Sequence, residues 1–359
     1  MLCNLLLAGA IYAPSAHACA GLVTSGGGVL ATSDAQQGIL EQTSTGSVVE
    51  YANDYTGTAE DFGWIIVVPT PFTSMSDGDL SRFQWLTSLS QPQVEWSSTG
   101  GEDDGSQCGC RSDSGSKGAT VDAVFDTGSN NLDVVAEGFT GTYAYTVVES
   151  DDAAGLVSWL DDNGWALGDN EAVLTEYVEE GGYAFVLVSI DPDVPLGSGE
   201  SGMLPPVRIE TGSSELRFPA RMARDAAPSS QSTRIFVLGD QQAELSGGWS
   251  AVDLAVIDAE DGNPEDAFEQ AVWEATSDSP TYAMIFSGET SEGWLTRFET
   301  RAEREAHETD VEFELTGGRT PAETIVRSMT RSAGASGAPG VIGAGLLLFL
   351  WPLLRSRLS

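Results

Sequence analysis

Asp61-Phe62-Gly63-Trp64-Ile65-Ile66-Val67-Val68-Pro69 is an apolar run closed by a proline, and it reads as a strand. Tyr183–Ile190 reads the same way. Outward from these two, Val121–Phe125, Leu132–Gly138, Arg234–Leu238, Val252–Ile257 and Tyr282–Phe286 are predicted strands, and Gln93–Trp96 a short extended piece. Gly141–Glu149 alternates, which puts Tyr143, Tyr145 and Val147 on one face. Pro206–Glu210 and Leu216–Pro219 are extended and separated by Thr211-Gly212-Ser213-Ser214, which suggests a hairpin. Helices interrupt this pattern. Asp79–Ser90 places Leu80, Phe83, Leu86 and Leu89 on one side, with Ser76 or Asp77 as its cap. Asp151 or Asp152 caps a helix that ends at Asn163-Gly164 and turns Leu156, Val157, Trp159 and Leu160 inward. Asn170 caps Glu171–Glu180, which Gly181-Gly182 ends. Pro264–Thr276 carries proline in its first turn and Phe268, Ala271 and Val272 on one side. Gly293–Ala306 reads as a charged helix. Strands dominate and three or four helices are inserted, so the expected class is α+β. A doubly wound βαβ sheet needs regular alternation and a glycine-rich phosphate loop, and neither is present.

Both ends are hydrophobic. In MLCNLLLAGAIYAPSAHA, residues 1–18, the core of Leu5, Leu6, Leu7 and Ile11 is broken by Pro14 and followed by Ala16-His17-Ala18. That small-x-small form suits a signal peptidase, and cleavage after Ala18 makes Cys19 the first mature residue. His17 and the lack of a Leu three residues before Cys19 argue against lipidation. At the other end, Ser332–Ala338 holds only Ser, Gly and Ala, the composition of a flexible linker. Val341–Leu354 is apolar and shorter than the ~20 residues a bilayer asks for. Arg355 and Arg357 follow it, and basic residues stay on the cytoplasmic side. The expected organisation is therefore a signal peptide at 1–18, an exported α+β domain of one or two subdomains at 19–330, a linker at 331–340, a transmembrane or sorting-tail helix at 341–354 and a basic cytoplasmic end at 355–359. The ectodomain is expected to be periplasmic or extracellular at the cell envelope on a single-pass anchor. Its expected partners are membrane lipid and a protease that processes the tail.

Between the ends the chain is acidic: 54 Asp and Glu against 16 Lys and Arg give −38, and Lys117 is the sole lysine. Such a surface repels nucleic acid. No cofactor is expected. Calcium is the alternative at Asp258-Ala259-Glu260-Asp261-Gly262-Asn263, but the glycine comes one position early for an EF-hand loop. Cys19, Cys108 and Cys110 remain after signal removal, an odd number for an oxidising compartment. A bridge from Cys19 to Cys108 or Cys110 is the plainest reading. A metal at the C-x-C pair would need further ligands, and the mature chain offers only Cys19 and His307.

Serine–histidine catalysis is poorly served. His307 lies among Glu303, Glu305 and Glu308 in the predicted charged helix and reads as a solvated histidine, and there is no G-x-S-x-G elbow. With so many acids, a glycosidase-like carboxylate pair cannot be picked out. Trp64, Trp159, Trp165 and Trp249 read chiefly as core residues.

The order of several segments resembles a known bacterial family. They are Cys19-Ala20-Gly21 after the signal, Ala59–Pro69, Leu156–Trp165, Tyr177–Phe185, Pro205–Ile209 and Phe236–Asp240. Together they resemble the exported domain-of-unknown-function family numbered 2330, over roughly residues 19–290. Members commonly carry C-G-G-x-x-C at the mature N-terminus, and here the second glycine and second cysteine are missing. The resemblance implies an exported, often tail-anchored envelope protein and carries over no catalytic residue. The expected role is structural, adhesive or ligand-binding, with a secreted hydrolase using a carboxylate pair on glycans as the alternative.

Overall fold

Phe62–Pro69 is a strand with both faces covered, which is why its apolar run is unbroken rather than alternating. The computed structural model describes residues 22–25, 35–56, 62–98, 132–168, 170–190, 201–224, 230–259, 263–303 and 306–330. The first third of the chain forms β1 (Leu22–Ser25), β2 (Ala35–Gln42), β3 (Ser47–Thr56), β4 (Phe62–Pro69), β5 (Phe72–Asp77), α1 (Leu80–Leu89) and β6 (Gln93–Ser98). Then come β7 (Leu132–Phe139), β8 (Tyr143–Ser150), α2 (Ala153–Asp162), β9 (Trp165–Ala166), α3 (Asn170–Glu180) and β10 (Tyr183–Ile190). They are followed by β11 (Ser201–Met203), β12 (Val207–Thr211), β13 (Leu216–Phe218), β14 (Ser230–Gly239), β15 (Ala243–Ser246), β16 (Ser250–Asp253) and β17 (Val256–Ala259). The last part holds α4 (Pro264–Thr276), β18 (Thr281–Thr290), β19 (Gly293–Glu303), β20 (Val311–Leu315), β21 (Ala322–Glu323) and β22 (Ile325–Thr330).

Among the described residues a six-stranded sheet runs β7-β8-β10-β4-β1-β9, and a ten-stranded sheet runs β16-β18-β19-β14-β2-β3-β12-β5 with β11 and β21 at its margins. Most pairs are antiparallel, but β2 and β14 run parallel. The two sheets face each other. Trp64, Ile66, Val68, Val186 and Val188 of the smaller pack on Leu40, Val49, Tyr51, Ile235, Val237 and Phe298 of the larger. Helices α2 and α3 cover the outer face of the small sheet, with Leu156, Leu160, Val173, Leu174 and Tyr177 on Ile65, Val67, Phe185 and Leu187. Helix α1 covers the outer face of the large sheet through Phe83 and Leu86, which meet Ile39, Ala52, Phe236 and Leu238. Each such fully buried side chain contributes about 1.5–3 kcal/mol. The result is four layers, helix–sheet–sheet–helix, and the expected α+β class holds for them.

Local signals explain the helix starts. Asp79 accepts from the Ser81 backbone N–H and caps α1, whereas Ser76 and Asp77 belong to β5. Asp152 caps α2 by accepting from the Gly155 N–H, and Asn263 caps α4 with Pro264 just inside it.

Several expectations are corrected. Gly293–Glu303 is strand β19, not a helix. Thr296, Phe298 and Thr300 point to the sheet–sheet interface while Leu295, Arg297 and Glu299 sit under α1, so the period is 2 and both faces are buried. Pro206–Glu210 and Leu216–Pro219 do not form a hairpin together: β12 pairs with β3 and β5, and β13 with β20. Val252–Ile257 spans two strands in different sheets, β16 and β17. The predicted strand at Val121–Phe125 lies outside the described residues.

The membrane-anchored topology is not upheld. No helix among the described residues is long and apolar enough to cross a membrane, and Val341–Leu354, Arg355 and Arg357 lie outside those residues. The expected single-pass localisation and lipid contact therefore have no helix among the described residues to carry them. Cys19, Cys108 and Cys110, the cysteines of the expected disulfide, lie outside the described residues, and no bridge is found among those described.

Candidate functional site: an acidic cleft around two arginines

The first turn of α1 meets the end of the ten-stranded sheet, and side chains from five elements converge there. Arg82 extends from α1. Its Nη1 donates to Glu50 Oε1 on β3 at 2.6 Å, and its Nη2 to Glu41 Oε2 at the end of β2 and to Glu292 Oε2 in the β18–β19 turn, both at 2.7 Å. Arg208 on β12 lies directly opposite Glu50 in the strand register and donates to the same Oε1 at 2.8 Å. Burial opposes the Arg82 charge, but Glu41, Glu292 and Glu50 outweigh it and hold its pKa above the ordinary value. These residues, with Asp77, Gly78 and Asp79, line an open cleft of about 500 Å³. Five carboxylates face two guanidiniums, so its charge is negative. Glu50 is 2% exposed, yet its Oε2 has no hydrogen-bond partner. Asp77 ties one wall to the β7–β8 turn by accepting from the Gly141 N–H at 2.8 Å.

A second set lies under the other end of α1. Glu299 accepts from Arg234, its register partner on β14, and from Arg297 two residues earlier on its own strand. Arg297 also donates to the Ser90 carbonyl oxygen at the α1 C-terminus. Burial alone raises the Glu299 carboxyl, but Arg234 and Arg297 overcome it and bring it down to about 2. Burial pushes Arg297 down to about 10 despite the Glu299 charge beside it.

A third set joins α3 to β13 and the start of β20. Asp310 accepts from the Tyr177 hydroxyl and from Arg221, whose guanidinium stands 4.0 Å above the Tyr177 ring. Glu180 receives Arg217 and Arg221, and although burial works the other way, Tyr183 and these arginines lower its pKa. This set pairs Arg217 and Arg221 with Glu180, Asp310 and Glu312 and reads as a seam between layers.

The sequence candidates fall elsewhere. His307 is fully buried rather than solvated and stands edge-on to Trp249 at 5.7 Å. Trp64 and Trp249 are buried in the sheet–sheet core, while Trp85 and Trp96 are exposed. No group of three or more His, Cys, Asp or Glu able to hold a metal occurs among the described residues, and Glu260, Asp261 and Gly262 of the calcium-like run lie outside them. The hydrolase alternative finds no support in this geometry. At the cleft Glu41, Glu50 and Glu292 are engaged by Arg82. Sequence reading missed the cleft because, apart from the Asp77–Arg82 stretch, its members are single charged residues on separate elements. The capping Asp79 was the nearest available signal.

The fold defines a helix-flanked double-sheet protein with an acidic, arginine-bridged cleft. The chain belongs to the DUF2330 family, uncharacterized protein conserved in bacteria, whose model matches residues 13–314. No curated protein matches. Among solved structures the chain is similar to the crystal structure of baculovirus P35, at 9% identity and a TM-score of 0.29, covering 82% of this chain and 97% of that one.

Proposed function

We propose that the protein is a recognition domain that receives a positively charged segment of a partner protein in the Arg82 cleft. The observation that carries this reading is the excess of carboxylates over arginines lining the cleft, at whose base the buried Glu50 Oε2 has no hydrogen-bond partner. A buried acceptor without a donor is costly, and a Lys or Arg brought into the cleft adds donors beside it. The net charge of −38 draws such a segment from a distance and disfavours acidic competitors. Arg82, fixed by three carboxylates, keeps the walls in place without offering itself to an anion.

The test is calorimetric titration with a Lys- and Arg-rich decapeptide and with an acidic peptide of equal length. The basic peptide is expected to bind at low salt and the acidic one not. Glu50→Gln is expected to weaken binding at least tenfold, whereas Asp161→Asn with Asp162→Asn on the exposed end of α2 leaves it nearly unchanged. Equal losses in both variants would mean diffuse attraction to the whole surface and would sink the cleft as the site.

A further inference from the structure

We propose that the core between the two large sheets holds one permanently bound water, bridging Tyr51 to Asn53. A small cavity lies there, lined by the polar Gln36, Tyr51 and Asn53 of the ten-stranded sheet and by Trp64, Ile66 and Phe218 among its apolar neighbours. The space open to the centre of a water molecule is about 10 Å³. A single water needs about 10–15 Å³ by this measure, so one water fits and nothing larger does.

The polar wall demands an occupant. Asn53 is 1% exposed, and both its amide nitrogen and its carbonyl oxygen lack partners. The Tyr51 hydroxyl, equally enclosed, also lacks one. Buried amides and hydroxyls in native proteins almost always find a partner, in protein or in ordered water. Gln36 cannot serve as donor, because its Nε2 is already committed to Gln231 Oε1 at 2.9 Å and Thr233 Oγ1 at 3.0 Å. Its carbonyl oxygen remains an acceptor.

The occupant's chemistry follows from the lining. No charged side chain lines the cavity, so its wall offers no carboxylate to ligate a metal or ammonium ion in place of lost hydration. A neutral molecule that both donates and accepts suits the three groups. Burial and the charge of Asp310 raise the Tyr51 pKa well above its usual value, so the phenol stays protonated. The Tyr51 O–H then donates to the water, and the water donates onward to Asn53 Oδ1 and Gln36 Oε1.

Two measurements on the whole chain test this. A crystal structure that resolves ordered solvent is expected to show one peak within about 2.7–3.2 Å of Tyr51 Oη and an Asn53 amide atom. Water-oxygen relaxation dispersion is expected to lose one long-lived water in Asn53→Leu. Tyr51→Phe keeps the ring and removes only the hydroxyl, so it serves where the leucine variant fails to fold, and it is expected to shorten the residence time of that water. An empty cavity in the wild-type map overturns the inference. So do side chains turned onto protein partners, or a long-lived water count unchanged in Asn53→Leu together with an unchanged residence time in Tyr51→Phe.

Discussion

Glu50 and Glu299 occupy nearly the same setting and do different things. Both lie on the outer face of the ten-stranded sheet, on β3 and β19, beneath opposite ends of α1. Each stands opposite an arginine in the strand register, Arg208 and Arg234 respectively, and each receives a second arginine on the same oxygen. The second arginine makes the difference. At Glu299 it is Arg297, 2% exposed and tied to the end of α1, and the set is sealed. At Glu50 it is Arg82, shared with Glu41 and Glu292 at the mouth of an open cleft. Every arginine contact to Glu299 falls on its Oε1, and at Glu50 the buried Oε2 has no partner. Burial and an arginine pair therefore do not mark a site by themselves. An unmatched buried atom beside an open cleft does.

The sharpest way to break this comparison is Glu299→Gln. It leaves two arginines facing each other under α1, and breaking a buried charge set costs about 3–5 kcal/mol. Denaturant unfolding is expected to show a midpoint lowered accordingly, with cleft binding retained in the folded fraction. A loss below about 1 kcal/mol would show that the Glu299 set is solvated and that the contrast with Glu50 is false.

Acid titration sharpens the same point. The folded Glu299 pKa, about 2, lies below its ordinary value of 4.5. A depressed carboxyl contributes stability that is fully present above about pH 4.5 and lost as pH falls through about 2. The wild-type melting temperature is expected to drop across that window, and the drop is expected to shrink in Glu299→Gln. Identical acid profiles for the two proteins would remove Glu299 from the explanation.

Glu50→Gln is expected to act more on binding than on stability. Its arginine partners keep other carboxylates or reach solvent, with side chains 15% and 29% exposed, so the stability loss is expected at about 1–3 kcal/mol. Basic-peptide affinity is expected to fall at least tenfold. A variant as unstable as Glu299→Gln with unchanged peptide binding would make Glu50 a purely structural residue.

Both glutamates show what the sequence made legible. β4 and β10 were readable because both faces are buried, so burial writes itself as an apolar run. α4 was readable from Pro264 and its period. β19 was not, although it is central to the sheet. Arg297, Glu299 and Arg301 give the stretch the charged look of a surface helix until Glu299 is seen to pair with Arg297 and with Arg234, from a strand far away in sequence. β2 and β3 gave no clear signal, because Gln36, Gln37, Glu50 and Asn53 interrupt their apolar pattern at buried positions. The cleft depends on long-range pairing throughout, and none of its members is near another in a recognisable motif.

Glu292→Gln is the smallest expected effect and the one that separates wall from floor. Glu292 sits in the tight turn between β18 and β19, next to Gly293, whose φ of +122° and 2.7 Å Cβ approach to the Gly239 carbonyl oxygen admit no side chain without strain. That turn fixes where the carboxylate meets Arg82. The Glu292 side chain is 38% exposed, and ion pairs of this kind contribute about 0–1 kcal/mol. Stability is therefore expected to change little, since Glu41 and Glu50 still hold the guanidinium. Peptide binding is expected to weaken by a smaller factor than in Glu50→Gln, because one wall charge is lost while the unpaired Glu50 oxygen remains. Raising salt is expected to shrink the Glu292 effect first, since screening acts most strongly on exposed charges. If Glu292→Gln abolished binding while Glu50→Gln did not, the peptide would be held at the cleft rim, and the buried oxygen would have no part in it.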